Sequence, residues 1–565
     1  MKIILSLLTI SAQRLIVFFF ALMSSFGFAG EASGQQLNSY RWSPYDESAE
    51  LEEQQGHENP RMRFRLINSR LLDKNVLWDP FAQELIDFTA QRYEQLKPAI
   101  LDQDIPALQR AVKSGELTYE ELVKFYLYRI RLFESDNNFT LNALIATNPQ
   151  AIAAARGKDR ALAAGLQISD YSLFGIPVLL KDNVGSDGLK TTAGAQIMAA
   201  NEAADAFVTR RLKANGAVVL GKANLSEWAY YFCDDCPLGY SAMGGQTLNP
   251  YGRKNFESGG SSSGSAVGVA VNYAPVAVGS ETSGSILSPA SHNSTVGLKP
   301  TTGVLSRSGV VPISSSLDTL GPIAKSVTDT VILFNAMTGY DRQDLAMPLR
   351  SVDAQLILRE ETLAGKRLAY IAGLDSEPLV GEAIELIRSA GAEVLETALP
   401  DIQLPDFGTF LGAEMKRDLA MYLTATADAS VAVSNIKEVI AYNNAEPENR
   451  APYGQGRFDA MAEMSFSEEQ VREMLLAIRA SGQEVLGRVV SEQQLDVLLS
   501  VNNLHASLAA AANFPALTIP LGLRADGEPV GLTLIAQSYD EQVLVDIGLA
   551  VEKLVKGRVA PAAYQ

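Results

Sequence analysis

The stretch Glu257-Ser-Gly-Gly-Ser-Ser-Ser-Gly-Ser-Ala-Val-Gly-Val-Ala270 is followed by Pro275-Val-Ala-Val278 and Gly279-Ser-Glu-Thr-Ser-Gly-Ser-Ile-Leu-Ser-Pro-Ala290. Two loops rich in glycine and serine therefore flank an apolar segment of small residues. Glycine lets backbone N–H groups approach a ligand closely, and serine supplies hydroxyl groups. A flexible linker would share this composition, but it would not contain apolar runs that must be buried. We expect both loops to be fixed to a rigid core.

Length and composition indicate a large globular protein. The chain has 565 residues, of which 47% are hydrophobic and 20% charged. One large catalytic domain with an added segment, or two interleaved lobes, would use this length. The net charge of −18 argues against nucleic acid or an anionic membrane as a partner.

The two cysteines, Cys233 and Cys236, are separated by two aspartates. A zinc site needs about four ligands, and the three histidines, His57, His292 and His505, are scattered along the chain. We therefore expect no metal site. The CxxC spacing also occurs in thioredoxin-like redox pairs, but a local disulfide in an exported protein is the preferred interpretation.

Residues 1–30 have the pattern of a signal peptide. Lys2 and Arg14 precede the apolar run Leu15–Phe28, which ends in small residues. This run is shorter than the ~20 residues that a membrane span needs, and it favours cleavage near Ala29. We expect an exported protein, periplasmic or secreted, with an uncleaved anchor as the alternative.

Beyond the signal, residues 31–103 are predicted to form an N-terminal extension or linker with a helix at Trp78–Leu96. Thr118 and Glu121 have the spacing of a capping box at the start of the next long helix. Residues 104–565 are expected to form the main domain.

Within this domain helices alternate with buried strands, which predicts an α/β layered fold. The strand Ile176–Leu180 is followed at once by Lys181. A lysine at this position often extends to water, but a lysine that cannot do so has a lowered pKa and becomes a usable base. Residues 340–490 are predicted to be a mostly helical, substrate-side region that could cover a cleft.

The first loop contains Gly260-Ser-Ser-Ser-Gly264, which formally matches the G-x-S-x-G elbow of hydrolases with Ser262 as the nucleophile. Such an elbow follows a buried strand and needs a later histidine, whereas residues 249–256 do not have the pattern of a strand. A phosphate-binding loop would need a following Gly-Lys-Ser/Thr, which is missing. A serine nucleophile here needs a base other than histidine, and lysine is the natural candidate.

Seven segments resemble, in order and in spacing, those of the amidase signature family, and the resemblance covers roughly residues 104–565, with its weakest part across 340–490. They are Gly175-Ile-Pro-Val-Leu-Leu-Lys-Asp-Asn183, Gly221-Lys-Ala-Asn-Leu-Ser-Glu-Trp228, Gly244-Gly-Gln-Thr-Leu-Asn-Pro-Tyr251, Gly259-Gly-Ser-Ser-Ser-Gly-Ser265, Gly279-Ser-Glu-Thr-Ser-Gly-Ser-Ile286, Gly297-Leu-Lys-Pro-Thr301 and Asp318-Thr-Leu-Gly-Pro322. The resemblance implies a large mixed β-sheet between helices, with a helical insertion over the cleft. The chain most resembles the exported peptide amidases, which remove C-terminal amides from peptides.

The resemblance also implies a Ser–cisSer–Lys triad without metal or cofactor. Ser285 then corresponds to the nucleophile, Ser261 to the bridging serine after a cis peptide bond, and Lys181 to the base. The oxyanion-loop positions that precede the nucleophile are Thr282, Ser283 and Gly284.

This sequence departs from the usual family pattern at three positions. Glu281 stands where aspartate is usual, Ser283 replaces a glycine, and Leu287 replaces an arginine. The last change indicates a pocket unlike that of simple amidases. Three further polar residues in the motifs are expected to be structural rather than catalytic: Asp182, Asp318 and Lys299.

We therefore expect a serine hydrolase that cleaves a carboxamide through an acyl-Ser285 intermediate. The expected substrate is a peptide C-terminal amide, with aryl or fatty-acyl amides as alternatives. An esterase that uses Ser262 with a histidine and a non-catalytic binding protein are the rival interpretations. A role as an amidotransferase subunit fits poorly with a signal peptide. We expect a monomer or homodimer that binds a small-molecule or peptide amide and no nucleic acid.

Overall fold

A large mixed β-sheet lies between layers of helices in the computed structural model, which describes residues 41–348, 354–359 and 362–565. The predicted signal peptide lies outside these residues. The large sheet has eleven strands in the order β1-β3-β2-β6-β8-β7-β12-β13-β11-β9-β10, and a separate hairpin is formed by β4 and β5. The predicted α/β class with a large mixed sheet is confirmed.

The strands are short and, near the centre of the sheet, buried along their whole length. Their bounds are β1 Leu144–Thr147, β2 Pro177–Lys181, β3 Val218–Ala223, β4 Tyr240–Ser241, β5 Gly245–Gln246, β6 Val276–Glu281, β7 Val296–Lys299, β8 Thr319–Ala324, β9 Arg367–Ile371, β10 Glu393–Thr397, β11 Val497–Val501, β12 Ala516–Leu523 and β13 Pro529–Ile535.

The α-helices of the described residues cover both faces of this sheet. Their bounds are α1 Ser48–Gln54, α2 Ala90–Ile100, α3 Ile105–Ser114, α4 Tyr119–Glu134, α5 Ala151–Ala163, α6 Phe207–Ala214, α7 Ser263–Ala270, α8 Leu287–His292, α9 Val327–Met337, α10 Pro378–Ser389, α11 Phe407–Ala425, α12 Ile436–Ala445, α13 Pro447–Arg450, α14 Gly456–Glu463, α15 Glu468–Gly482, α16 Arg488–Glu492, α17 Ala506–Ala512 and α18 Glu541–Val555. None of the described helices combines the length and hydropathy that a membrane span requires.

Strand direction brings distant motifs together. Strands β2 and β6 are parallel neighbours, with Val178 opposite Val276 and Leu180 opposite Val278. The carboxyl ends of parallel strands lie at the same edge of a sheet. Lys181, which ends β2, therefore lies beside the loop that follows β6.

The beginning of the described chain packs against the same core. Trp42 is only 5% exposed, and its backbone N–H donates to Asn75 Oδ1 at 2.9 Å. The hydroxyl of Ser69 donates to the backbone oxygen of Ala242, in the main domain, at 2.6 Å. Residues 41–103 thus form a covering layer on the main domain rather than a free tether.

The predicted helix at Trp78–Leu96 is wrong in its first half. Phe81 and Leu85 are buried as their spacing suggested, but Phe81 ends a short 3-10 helix, Leu85 lies in the turns that follow it, and α2 begins only at Ala90. The side chain of Thr89 caps this helix by accepting from Arg92 N, so the local capping signal sets the start of the helix. The predicted capping box of Thr118 and Glu121 is present at the start of α4.

Helices α11 to α15 form a second apolar core with the segment that follows β3. Phe410 and Phe458 from these helices pack with Trp228, Phe232 and the paired cysteines. This packing places the helical region over one end of the sheet, beside the Gly/Ser loops.

Candidate active site

Lys181 lies at the centre of the site and is completely buried. Its Nζ donates to Ser261 Oγ at 2.7 Å and to the backbone oxygen of Ser280 at 3.0 Å. Burial disfavours the charged ammonium and lowers the pKa of Lys181 to about 7, against a smaller opposite effect of Asp318 and Glu281. A lysine in this setting can accept a proton near neutral pH.

The first Gly/Ser loop presents Ser261 to this lysine. The peptide bond between Gly260 and Ser261 is cis. The loop leads directly into α7, a helix of small residues that is buried on every side. A Cβ on Gly264 would lie 2.3 Å from the backbone oxygen of Ala143, so only glycine allows α7 to approach the chain so closely. The small-residue composition of this stretch therefore reflects close packing and not a flexible linker.

Ser262 has a different environment from Ser261. Its hydroxyl donates to the backbone oxygen of Ser280 at 3.1 Å and accepts from the N–H of the same residue at 3.2 Å. The side chain is fully buried and does not line the cavity described below. These contacts favour a structural role and count against the G-x-S-x-G elbow, because the hydroxyl cannot reach a substrate.

The second loop forms a tight turn around the carboxylate of Glu281. Its two oxygens accept from the N–H groups of Gly284 at 2.7 Å, Ile286 at 2.6 Å and Leu287 at 3.0 Å. Gly284, at φ +87°, supplies the left-handed conformation of the turn. The longer acidic residue thus keeps a carboxylate at the position where the family usually has aspartate.

These bonds refine the predicted oxyanion loop. The N–H of Gly284 is engaged by Glu281 and is not free for a substrate. The N–H groups of Thr282, Ser283 and Ser285 make no hydrogen bond to any described residue. They are the donors that remain for an oxyanion.

Ser285 lines a cavity of about 630 Å³ at the end of the sheet. Its hydroxyl has no hydrogen-bond partner among the described residues, and the N–H of Ser262 donates to its backbone oxygen at 3.1 Å, which joins the two loops. The cavity walls include Thr282, Ser283, Gly284, Tyr230, Tyr231, Asp234, Phe407, Thr409, Met461, Arg457 and Asn503. The lining combines aromatic and apolar side chains with polar ones, and it has a charged pair on one side, where Arg457 lies 3.5 Å from Asp234.

The other polar residues of the motifs are held in structural contacts, as their position in the motifs suggested. Asp182 pairs with Lys222 at 3.1 Å in the fully buried interior. Asp318 accepts from the N–H groups of Ile313 and Ser314, and burial raises its pKa to about 6. Lys299 donates to the backbone oxygen of Phe514 at 2.8 Å.

Leu287 and Ser283, two of the departures from the family pattern, face different surroundings. Leu287 is fully buried and packs in an apolar cluster with residues such as Val485 and Leu498. The hydroxyl of Ser283 lies 2.9 Å from that of Ser507 and connects the second Gly/Ser loop to α17.

A disulfide joins Cys233 and Cys236, whose Cα atoms are 5.8 Å apart, in agreement with the local disulfide expected for this pair. The cysteines belong to the same segment as Tyr230, Tyr231 and Asp234, which form one wall of the cavity. The disulfide therefore restrains a wall of the site.

Comparisons with known proteins identify the family of the chain. The model of the family described as Amidase matches residues 121–506. A probable amidase of Arabidopsis thaliana is 36% identical over 479 residues, which cover 82% of this chain and 92% of the relative. The chain belongs to the amidase family.

Two solved structures extend this similarity to the fold. An amidase family protein from Bacillus anthracis is 34% identical with a TM-score of 0.83, and the match covers 88% of this amidase and 99% of that chain. The native peptide amidase from Stenotrophomonas maltophilia is 35% identical with a TM-score of 0.76, covering 82% and 98%. The protein is therefore an enzyme that hydrolyses amide bonds.

The structure places the residues that the sequence singled out in this amidase in two neighbouring groups, Lys181 with Ser261 and Ser285 with the other members of its loop. Lys181 and Ser261 share a hydrogen bond, and Ser285 lies in the loop bonded to that of Ser261. The contribution of Glu281 to the turn and the presence of Asn503 in the cavity wall were missed. A carboxylate three residues before a glycine gives no distinct local signal, and Asn503 belongs to no recognised motif.

Proposed function

We propose that the amidase removes C-terminal carboxamides from peptides through an acyl-Ser285 intermediate, with Ser261 and Lys181 as the proton relay. The observation that carries this proposal is the 2.7 Å hydrogen bond from a fully buried Lys181 to Ser261, directly beside the loop of Ser285. A serine at its ordinary pKa is a weak nucleophile and needs an adjacent base.

In the acylation step, neutral Lys181 takes the proton of Ser261, and Ser261 takes the proton of Ser285. The Ser285 oxygen then bonds to the carbonyl carbon, and the negative charge that moves to the carbonyl oxygen is stabilised by the N–H groups of Thr282, Ser283 and Ser285. The relay returns a proton to the amide nitrogen, the C–N bond breaks and ammonia leaves. A water molecule then repeats the sequence on the acyl-enzyme and releases a carboxylic acid and free Ser285.

Two observations favour a peptide substrate over a small amide. The cavity of about 630 Å³ is within the range of pockets that bind drug-sized ligands, which are larger than a small aliphatic amide. The similarity to a solved peptide amidase also supports this substrate class.

A screen for ammonia release tests the proposal. Purified enzyme would be assayed with peptide amides, a small aliphatic amide, an aryl amide and a fatty-acyl amide, while a fluorophosphonate probe reports on Ser285 by mass spectrometry. The proposal expects labelling at Ser285 and preference for peptide amides. If Ser285 is labelled but the enzyme prefers another amide, the mechanism stands and that amide becomes the proposed substrate. If the folded protein is neither labelled nor active, the result favours a non-catalytic binding protein.

The pH dependence of acylation is a prediction from the environment of Lys181. Because burial lowers its pKa to about 7, the neutral form needed as a base gains population as the pH rises through 7. The rate of acylation by a peptide amide should therefore increase from pH 6 to pH 8 and then level off. Single-turnover rates across this range would measure it, and a rate that stays flat or falls from pH 6 to pH 8 would contradict this role of Lys181.

We also propose export of the protein, on the sequence pattern of residues 1–30. Expression of the full chain with cell fractionation should yield a mature protein that begins close after Ala29, as read by N-terminal sequencing. Residues 30–565 expressed alone, the matched control, should stay in the cytoplasm. An intact Met1 in the exported fraction would contradict cleavage.

A further inference from the structure

The cavity of Ser285 has few polar side chains that are free to bind a substrate. Most of its polar groups are already paired within the protein, for example Ser283 with Ser507 and Arg457 with Asp234. Those that make neither a side-chain hydrogen bond nor an ion pair with a described residue are Ser285, Ser288, Thr409 and Asn503. Of these four, only Asn503 carries both a dedicated acceptor and dedicated N–H donors.

Asn503 is held close to the nucleophile loop. A Cβ placed on Gly284 would lie 3.2 Å from Asn503 Nδ2 and 3.7 Å from Asn503 Cβ. The bond between Ser283 and Ser507 connects the same loop to the helix that follows Asn503. The carboxamide of Asn503 is therefore next to the residue before Ser285.

The turn that carries Asn503 is firmly anchored at the end of β11. Its neighbour Asn502 exchanges two hydrogen bonds with Gly531, both at 2.8 Å, one through its backbone N–H and one through its side-chain oxygen. His505 Nδ1 lies 2.7 Å from the hydroxyl of Ser500, and Ala506 N donates to the backbone oxygen of Asn503 at 3.0 Å. The turn thus presents a single unpaired carboxamide to the cavity from a rigid support.

We propose that Asn503 binds a peptide group in the acyl part of the substrate. A carboxamide offers the donor and acceptor that complement the C=O and N–H of a peptide bond, and it carries no charge that would favour an ion. All primary amides share the scissile carboxamide, and ammonia, the leaving group, has no further atoms to be recognised, so a contact that distinguishes one substrate from another must be to the acyl part. This assignment rests on the proposed function and deepens it, because aryl and fatty-acyl amides have no second amide group.

A pair of matched substrates tests the assignment. N-acetyl-phenylalanine amide and 3-phenylpropanamide share the scissile carboxamide and the benzyl group, and differ in the acetamido group. Wild-type enzyme should prefer the first by about tenfold or more in kcat/KM, the size expected for one or two hydrogen bonds. Asn503→Ala should lower kcat/KM for the first substrate by about tenfold, mainly through a higher KM, and leave the second within about threefold.

The adjacent Leu504 supplies the control. Its side chain is 62% exposed and does not line the cavity, so Leu504→Ala should leave both substrates unaffected. The rate of fluorophosphonate labelling at Ser285 should be the same in Asn503→Ala as in the wild type, because that probe lacks a peptide group.

The outcomes separate this assignment from the proposed function. An equal loss for both substrates in Asn503→Ala, or no loss for either, would overturn the role of Asn503 while the labelled wild-type enzyme upholds Ser285. A wild-type enzyme that is neither labelled nor active on either substrate would overturn the proposed function and this assignment together.

Discussion

Replacing Ser285 with alanine is expected to lower kcat for peptide amides by at least about 10⁴-fold, because no other group can form the acyl-enzyme. Ser285 lines the cavity and is partly exposed, so its loss should leave the free energy of unfolding almost unchanged. Ammonia release measures the activity, and mass spectrometry should show that the fluorophosphonate adduct is lost as well.

Ser262→Ala is the matched control for this variant. The Ser262 hydroxyl bonds to both backbone groups of Ser280 in the buried interior, so its removal should cost about 1–3 kcal/mol of unfolding free energy. The folded variant should still turn over peptide amides within a few-fold of the wild-type rate and still be labelled at Ser285. If Ser262→Ala were folded but inactive while Ser285→Ala stayed active, the nucleophile would be Ser262 and not Ser285. That result would support the esterase-like G-x-S-x-G elbow.

Replacing Lys181 with alanine is expected to lower kcat by about 10²–10⁴-fold, the range of a general base. Ser261 would lose the partner that lies 2.7 Å away and could no longer pass on the proton of Ser285. The residual rate should also lose its increase between pH 6 and pH 8. Steady-state assays and the rate of fluorophosphonate labelling would measure both effects, with the melting temperature as a check on folding.

Lys254→Ala is a suitable control, because Lys254 pairs with Glu53 at the surface and is 40% exposed. It should behave as the wild type in every assay. Turnover of Lys181→Ala near the wild-type rate would rule out the lysine relay and direct attention to another base.

The sequence was most informative where one local pattern decides the structure. The spacing of Thr118 and Glu121 was sufficient to predict the capping box of α4. The apolar run before Lys181 was sufficient to predict a buried strand, although the strand in the structure also includes the lysine itself. Proximity of Lys181, Ser261 and Ser285 could be expected only through the family resemblance, since their juxtaposition depends on the order of β2 and β6 in the sheet.

Features that depend on contacts between distant segments could not be predicted from the sequence. Trp42 belongs to an acidic stretch that gave no sign of a core, yet it is buried against residues around Asn75. The engagement of the Gly284 N–H by Glu281 could not be foreseen either, because it requires the exact path of the loop. Asn503 reaches the cavity only because β11 ends beside the nucleophile loop, which no single stretch of sequence reveals.

In the proposed mechanism, the arrangement of the sheet separates bond cleavage from much of substrate selection. Lys181, Ser261 and Ser285 come from one continuous stretch of the chain, residues 181–285, that contains β6 and begins at the end of β2, whereas Phe407, Met461 and Asn503 reach the cavity from later segments. Substitutions in the later segments can therefore reshape the acyl pocket while the proton relay stays intact. For protein engineering, this makes the helices α11 and α14 and the turn after β11 the regions to randomise when a new amide is wanted, with the two Gly/Ser loops held constant.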